Sequence, residues 1–219
     1  MTLTSIENYL KEIDKRSPYD SLRTYVYKKR PLEVWKNVWD PYKGKSTKMF
    51  LDVFAELSFP SHAIALEIGC GCGILSLELW YAGIRQIFAS DVSYHACKNA
   101  KCNFEQHNAD IYVINADLFP PLKSKFDIVI FNAPAVHPSR TNPFYSNTLW
   151  SNDINLLKRF LDELPAYLSE QGHAYVMYAR FSDFDPLPFE NYSRSFNIDF
   201  VKTYKGEHSD GGILKIKLK

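Results

Sequence analysis

The sequence predicts an α/β fold: a mostly parallel sheet of seven strands with helices on both faces, a terminal antiparallel hairpin and a helical N-terminal extension. Three observations carry this reading. From residue 62 onward, short apolar runs alternate with amphipathic segments. A glycine-rich turn joins the first run to the first helical segment, and only a turn at Asp210-Gly211-Gly212 separates the last two runs.

Residues 1–60 read as mostly helical and irregular, broken at Pro18, Pro31 and Pro41, and form an extension or lid. Residues 61–219 hold the main domain. His62–Ile68 is its first strand, followed by the glycine turn Gly69–Gly73 and the helical stretch Ile74–Ala82. Gln86–Val92 is a second strand and Ser93–His107 a second helix. Ile111–Ile114 is a third strand. Phe126–Phe131 (FDIVIF) is apolar at nearly every position, as a strand covered on both faces is. A loop rich in Pro, Ser, Thr and Asn runs from Ala133 to about Ser151. Asp153–Leu168 then places Ile154, Leu157, Phe160, Leu161 and Leu164 on one helical face, with Gly172 as its stop signal. His173–Ala179 is a fifth strand, and Phe200–Tyr204 with Ile213–Leu218 form the hairpin. One antiparallel strand at the sheet edge is expected from this order.

At 219 residues and 46% hydrophobic, the chain can build one α/β core with a short appendage. A net charge of +1 disfavours a dedicated nucleic-acid coat. Residues 1–48 nevertheless carry 11 basic and 6 acidic side chains. That excess fits either a basic lid meeting an acidic or phosphate-bearing partner, or a solvated helical face. No apolar run follows the initial methionine, and no uncharged stretch nears the roughly 18 residues that span a bilayer. A soluble, cytoplasmic protein without membrane contact is expected. The four cysteines (Cys70, Cys72, Cys97, Cys102) lack metal-ligand spacing, so they read as buried or loop thiols with no metal site.

The sharpest motif is Glu67-Ile68-Gly69-Cys70-Gly71-Cys72-Gly73, at the carboxyl end of the first strand, where open α/β sheets bind ligands. A dinucleotide fingerprint would need a third glycine at position 74, which is Ile74. An acid at Glu67 would repel pyrophosphate but suits a ligand carrying an ammonium and a sulfonium.

This segment resembles the E/D-x-G-x-G-x-G signature of class I, Rossmann-like methyltransferases. The resemblance implies S-adenosyl-L-methionine as cofactor and S-adenosyl-L-homocysteine as product. It further implies that Glu67, Gly69, Cys70, Gly71 and Gly73 line the cofactor and that Asp91, with Val92 beside it, accepts hydrogen bonds from the ribose hydroxyls. Ala116, Asp117 and Leu118 would meet the adenine. After the fourth strand, Asn132-Ala133-Pro134-Ala135 resembles the N/D-P-P-Y/F motif of methyltransferases acting on planar nitrogens, with Ala133 and Ala135 replacing a proline and an aromatic residue. It implies that Asn132, the Ala133 backbone and Pro134 form the catalytic turn, Asn132 also touching the cofactor. Without the aromatic, adenine recognition is weakened more than amide recognition. The chain as a whole is similar to the release-factor glutamine and ribosomal-protein methyltransferases.

Several residues are open to two readings. His137 is a general-base candidate or a surface histidine. Phe144 and Tyr145 could replace the missing aromatic. Asn142, Tyr145 and Trp150 line an acceptor pocket or belong to a packed loop. The stretch Trp35–Thr47 is expected to cap the cofactor, with Pro41 and Thr47 resembling a segment of related enzymes. The acceptor is a protein glutamine amide, an RNA or DNA base, or a small molecule; a non-catalytic binding protein is the alternative from another class.

Overall fold

The computed structural model describes residues 21–136, 150–151, 155–181, 189–206 and 209–219. Among the described residues a hairpin comes first, β1 (Arg23–Tyr27) and β2 (Arg30–Val34), followed by α1 (Ser46–Glu56). The main domain then runs β3 (Ile64–Ile68), α2 (Ile74–Tyr81), β4 (Gln86–Asp91), α3 (Tyr94–Gln106), β5 (Tyr112–Asn115) and β6 (Phe126–Phe131). After the short pair β7 (Ala135–Val136) and β8 (Trp150–Ser151) come α4 (Leu156–Tyr167), β9 (Leu168–Phe181), β10 (Phe196–Lys205) and β11 (Ser209–Leu218).

The seven-stranded sheet has the order β10-β11-β9-β6-β3-β4-β5. Strands β5, β4, β3, β6 and β9 pair in parallel, and β11 runs antiparallel to both neighbours. The antiparallel strand is therefore interior, not at the edge as expected. β10 crosses past the position beside β9, and the hairpin folds β11 back into the gap, where both its backbone edges are paired.

Strand alternation divides the core in two. Ala65, Ile87, Ala89, Ile128 and Ile130 face a layer made by β2, α1, α2 and α3. Leu66, Ile68, Val129, Phe131 and Val176 face α4. α2 is buried around most of its circumference, as its sequence ILSLELWY requires. No helix links β5 to β6: Pro120 and Pro121 break that crossover, and Phe119 covers the sheet by stacking on Phe160 and Tyr167.

Two expectations change here. Residues 1–60 are helical at Ser46–Glu56, but Arg23–Val34 is a hairpin. Its loop is Lys28-Lys29, with φ of 49° and 65°. Such a turn normally announces itself by Asn or Gly, so this one left no mark in the sequence. Gly172 does not stop the preceding helix, which ends at Tyr167; it lies within β9, where a Cβ would come 2.7 Å from the Phe126 carbonyl oxygen.

The hairpin is stitched to α3 by two fully buried asparagines. Asn103 accepts from the Glu33 amide at 2.8 Å and donates to the Glu33 and Cys72 carbonyls. Asn99 accepts from the Trp35 amide at 3.0 Å and donates to the Glu33 carbonyl. Asp40, also buried, receives Arg23 at 3.1 Å and the Tyr25 hydroxyl at 2.7 Å. These bonds hold the chain from Trp35 to Pro41 over the carboxyl ends of the strands. Among the described residues no helix is long and apolar enough to cross a membrane.

Candidate functional site

Strand register brings the chemistry together. Ile68 lies opposite Ser90 and Phe131, and Asp91 lies opposite Asn115, so Gly69, Asp91, Ala116 and Asn132 emerge at one edge of the sheet. There they border a cavity of about 380 Å³, within the usual range for small-molecule sites.

Glu67, Gly69, Cys70, Gly71, Asp91, Val92, Ala116, Asp117, Leu118, Asn132 and Pro134 all line this cavity. Two residues expected at the site do not. Gly73 is the left-handed N-cap of α2, and a Cβ there would lie 2.5 Å from the Phe104 ring; it serves helix packing. The Ala133 side chain is buried in the core on the α4 side. Asn37, Val38, Trp39, Pro41 and Thr47 form the roof, where the capping stretch was expected. Ser93 and Arg159 also line the cavity, though the sequence did not single them out. His137, Asn142, Phe144 and Tyr145 lie outside the described residues, and only the backbone of Trp150 is described.

Asp91 presents a fixed carboxylate to the cavity. Its two oxygens accept the Gly71 amide at 2.9 Å and the Ser93 amide at 2.8 Å, which fixes the carboxylate and leaves further lone pairs. Burial raises its pKa, against the lowering effect of those two amides. Gly71 has φ +54°, and a Cβ there would meet only Val38, in ordinary contact at 3.9 Å, so a ligand can lie against its backbone. The neighbouring thiols are free, and burial pushes Cys72 up to about 12, so it is not a nucleophile at neutral pH.

Glu67 is 2% exposed and receives the Ser76 amide at 2.8 Å, with a second bond from the Ser76 hydroxyl. A carboxylate from β3 thus caps the first turn of α2. Burial nonetheless pushes Glu67 up to about 8 from an ordinary 4.5. For an acid raised on folding, the folded chain binds the extra proton between those values. The contribution of Glu67 to stability is therefore fully present below about 4.5 and is lost as pH rises through about 8. Thermal melts from pH 5 to 9 should show the melting temperature of the wild type falling relative to Glu67→Gln across that interval. Parallel curves would disprove the shift.

The cavity suits S-adenosylmethionine in volume, in glycine-lined backbone and in carrying Asp91 where paired hydroxyls would bind. The methyltransferase small-domain family matches residues 43–198. The chain is 32% identical over 117 residues to a Methanocaldococcus jannaschii protein described provisionally as a protein N5-glutamine methyltransferase, covering 51% of this chain and 59% of that one. It is 27% identical over 129 residues to a Thermoanaerobacter ribosomal protein L11 methyltransferase, covering 58% and 35%. The chain thus spans about a third to three fifths of the length of these relatives. A T. thermophilus 16S rRNA N2 G1207 methyltransferase, solved with AdoMet and guanosine, shares the fold at TM-score 0.63 and 16% identity, covering 90% of this chain and 50% of that one. On the extent of the family match, with the fold and the motif-bearing cavity in agreement, the chain belongs to the methyltransferase small-domain family.

Proposed function

We propose that this chain is an S-adenosylmethionine-dependent methyltransferase that modifies a planar nitrogen, with a protein glutamine amide as acceptor. One observation carries the reading: Asn132, a half-buried amide with no side-chain partner among the described residues, shares one cavity with the fixed carboxylate of Asp91. The similarity to a described glutamine methyltransferase supports the amide.

Bound S-adenosylmethionine supplies an electrophilic methyl whose C–S bond breaks as the N–C bond forms, sulfur keeping the electron pair. The protein has to align and to exclude water. An amide lone pair is delocalised, and Asn132 and the Ala133 carbonyl accept the acceptor's N–H groups, holding the nitrogen toward the methyl. The proton leaves the methylated nitrogen to solvent. Asp91 and the Gly69–Gly71 backbone hold the nucleoside and amino-acid ends, under a lid formed by Trp35–Thr47. In this reading Gly73 supports the glycine turn from behind and does not touch the cofactor.

An RNA base is the second reading. Lys36, Lys43 and Lys45 are exposed on the roof segment and have no acidic partner among the described residues.

The test is thermal unfolding with S-adenosylmethionine, S-adenosylhomocysteine and NADH, then transfer of labelled methyl to a glutamine-containing release-factor or ribosomal-protein substrate and to rRNA. A ligand at a hundred times its dissociation constant stabilises by about 2.7 kcal/mol, worth several degrees. Stabilisation by the first two only, abolished in Asp91→Ala, is expected, with label on protein. Label on rRNA alone would transfer the assignment to the second reading. No shift would remove both.

A further inference from the structure

Resting on the cofactor reading above, and on the place beside the adenine that the family resemblance gives Asp117, we propose that Arg159 is the positioning residue that aims Asp117 at the exocyclic amine of the cofactor's purine and so sharpens nucleoside specificity. The ion pair joins two layers across the cavity rim: Arg159 comes from α4, Asp117 from the turn after β5, and their contact is 2.7 Å.

The backbone under Asp117 is pinned. Asn115 donates to the carbonyls of Asp91 and Val92, and the Ala116 amide donates to Asp91 at 3.1 Å. Leu118 holds φ +57°, and its carbonyl accepts the Ser90 hydroxyl at 3.2 Å. The side chain is not pinned in this way. Asp117 is 60% exposed, and among the described residues its one partner is Arg159, itself 39% exposed.

An ion pair this open to water adds little to the stability of the folded chain. Its worth rises once a ligand covers it and lowers the local dielectric. With Oδ2 held by the guanidinium, Oδ1 is left as an acceptor at the cavity wall. A 6-amino purine can donate to it, whereas a 6-oxo purine sets oxygen against oxygen. Without Arg159 the carboxylate swings into solvent, and both the attraction and the repulsion fade.

The experiment measures dissociation constants of S-adenosylhomocysteine and its 6-oxo analogue S-inosylhomocysteine, with the melting temperature of the ligand-free protein. Wild type, Arg159→Ala, Arg159→Lys, Asp117→Ala and the double variant are compared. Wild type should prefer the amino form by about tenfold or more. Arg159→Ala should cut that preference to about threefold or less and leave the ligand-free melting temperature within about 2 °C. Arg159→Lys should fall between, and the double variant should match Asp117→Ala. An unchanged preference in Arg159→Ala, or a lowered melting temperature with preference intact, overturns the proposal and leaves a merely structural pair. If wild type binds neither nucleoside, the cofactor reading falls with it.

Discussion

Replacing Asn132 by alanine should lower the rate of methyl transfer by about a hundredfold to a thousandfold, the usual loss for one preorganised hydrogen-bonding group at a reacting centre. The structure makes this a clean substitution. Asn132 follows β6 directly, one residue past the Ile68–Phe131 pairing, so its backbone is set by the sheet. Its side chain lines the cavity and makes no hydrogen bond within the described residues, so its loss removes no internal contact of that kind. The melting temperature should hold within a degree or two, as for substitutions outside the core. Affinity for S-adenosylhomocysteine should drop far less than the rate. Asn132→Asp, which keeps an acceptor oxygen, should recover part of the activity. Steady-state kinetics with calorimetric binding checks this, and an alanine variant with full turnover would remove Asn132 from the proposed mechanism.

Gly73→Ala should be the most destabilising change in the glycine turn, although Gly73 was first expected to touch the cofactor. Its φ is +85°, and a Cβ would stand 2.5 and 2.6 Å from two ring atoms of Phe104 and 3.3 Å from Ala100. Phe104 is buried and cannot yield without opening the packing of α3 on α2. The left-handed backbone costs about 1–2 kcal/mol and overpacking about 1–3 kcal/mol. The sum lowers the melting temperature by roughly 5–15 °C for a chain of this size. Gly71→Ala makes the informative contrast. It also has positive φ, but its Cβ would meet nothing closer than 3.9 Å. Its stability loss should be about 1–2 kcal/mol, the backbone cost alone, and its main effect should fall on ligand affinity. Two melting curves and two binding isotherms separate the roles. Equal melting losses in the two variants would contradict the packing argument.

The different fates of Gly71 and Gly73 show how far sequence reading reached. Short apolar runs between His62 and Ala179 mark β3, β4, β5, β6 and β9, five of the seven strands of the main sheet, because a parallel strand covered on both faces must be apolar along most of its length. The spacing of Glu67, Gly69 and Gly71, with acids ending the next strands, located the cavity, because a parallel sheet aligns the carboxyl ends of its strands along one edge. Which glycine faces the cavity and which faces a helix is a matter of layers. Gly73 is decided by the approach of α3, which local spacing does not encode.

The hairpin at Arg23–Val34 was missed for a related reason. A Lys28-Lys29 turn with both φ values positive goes against local preference, and the docking of β2 on Asn99 and Asn103 more than offsets that strain. Nothing in the sequence marked Asn99 and Asn103 for this role beyond two amides four residues apart on one helical face. Arg159 likewise carried no mark, since its partner Asp117 lies 42 residues away. The sequence by itself located β3, β4, β5, β6 and β9 along the chain and the end of the sheet where the cavity lies, because burial and backbone freedom are local demands on residue type. Tertiary structure alone decided the interior place of β11, the docking of the Arg23–Val34 hairpin on α3 and the Arg159–Asp117 pair, because each depends on groups distant in the chain meeting across layers.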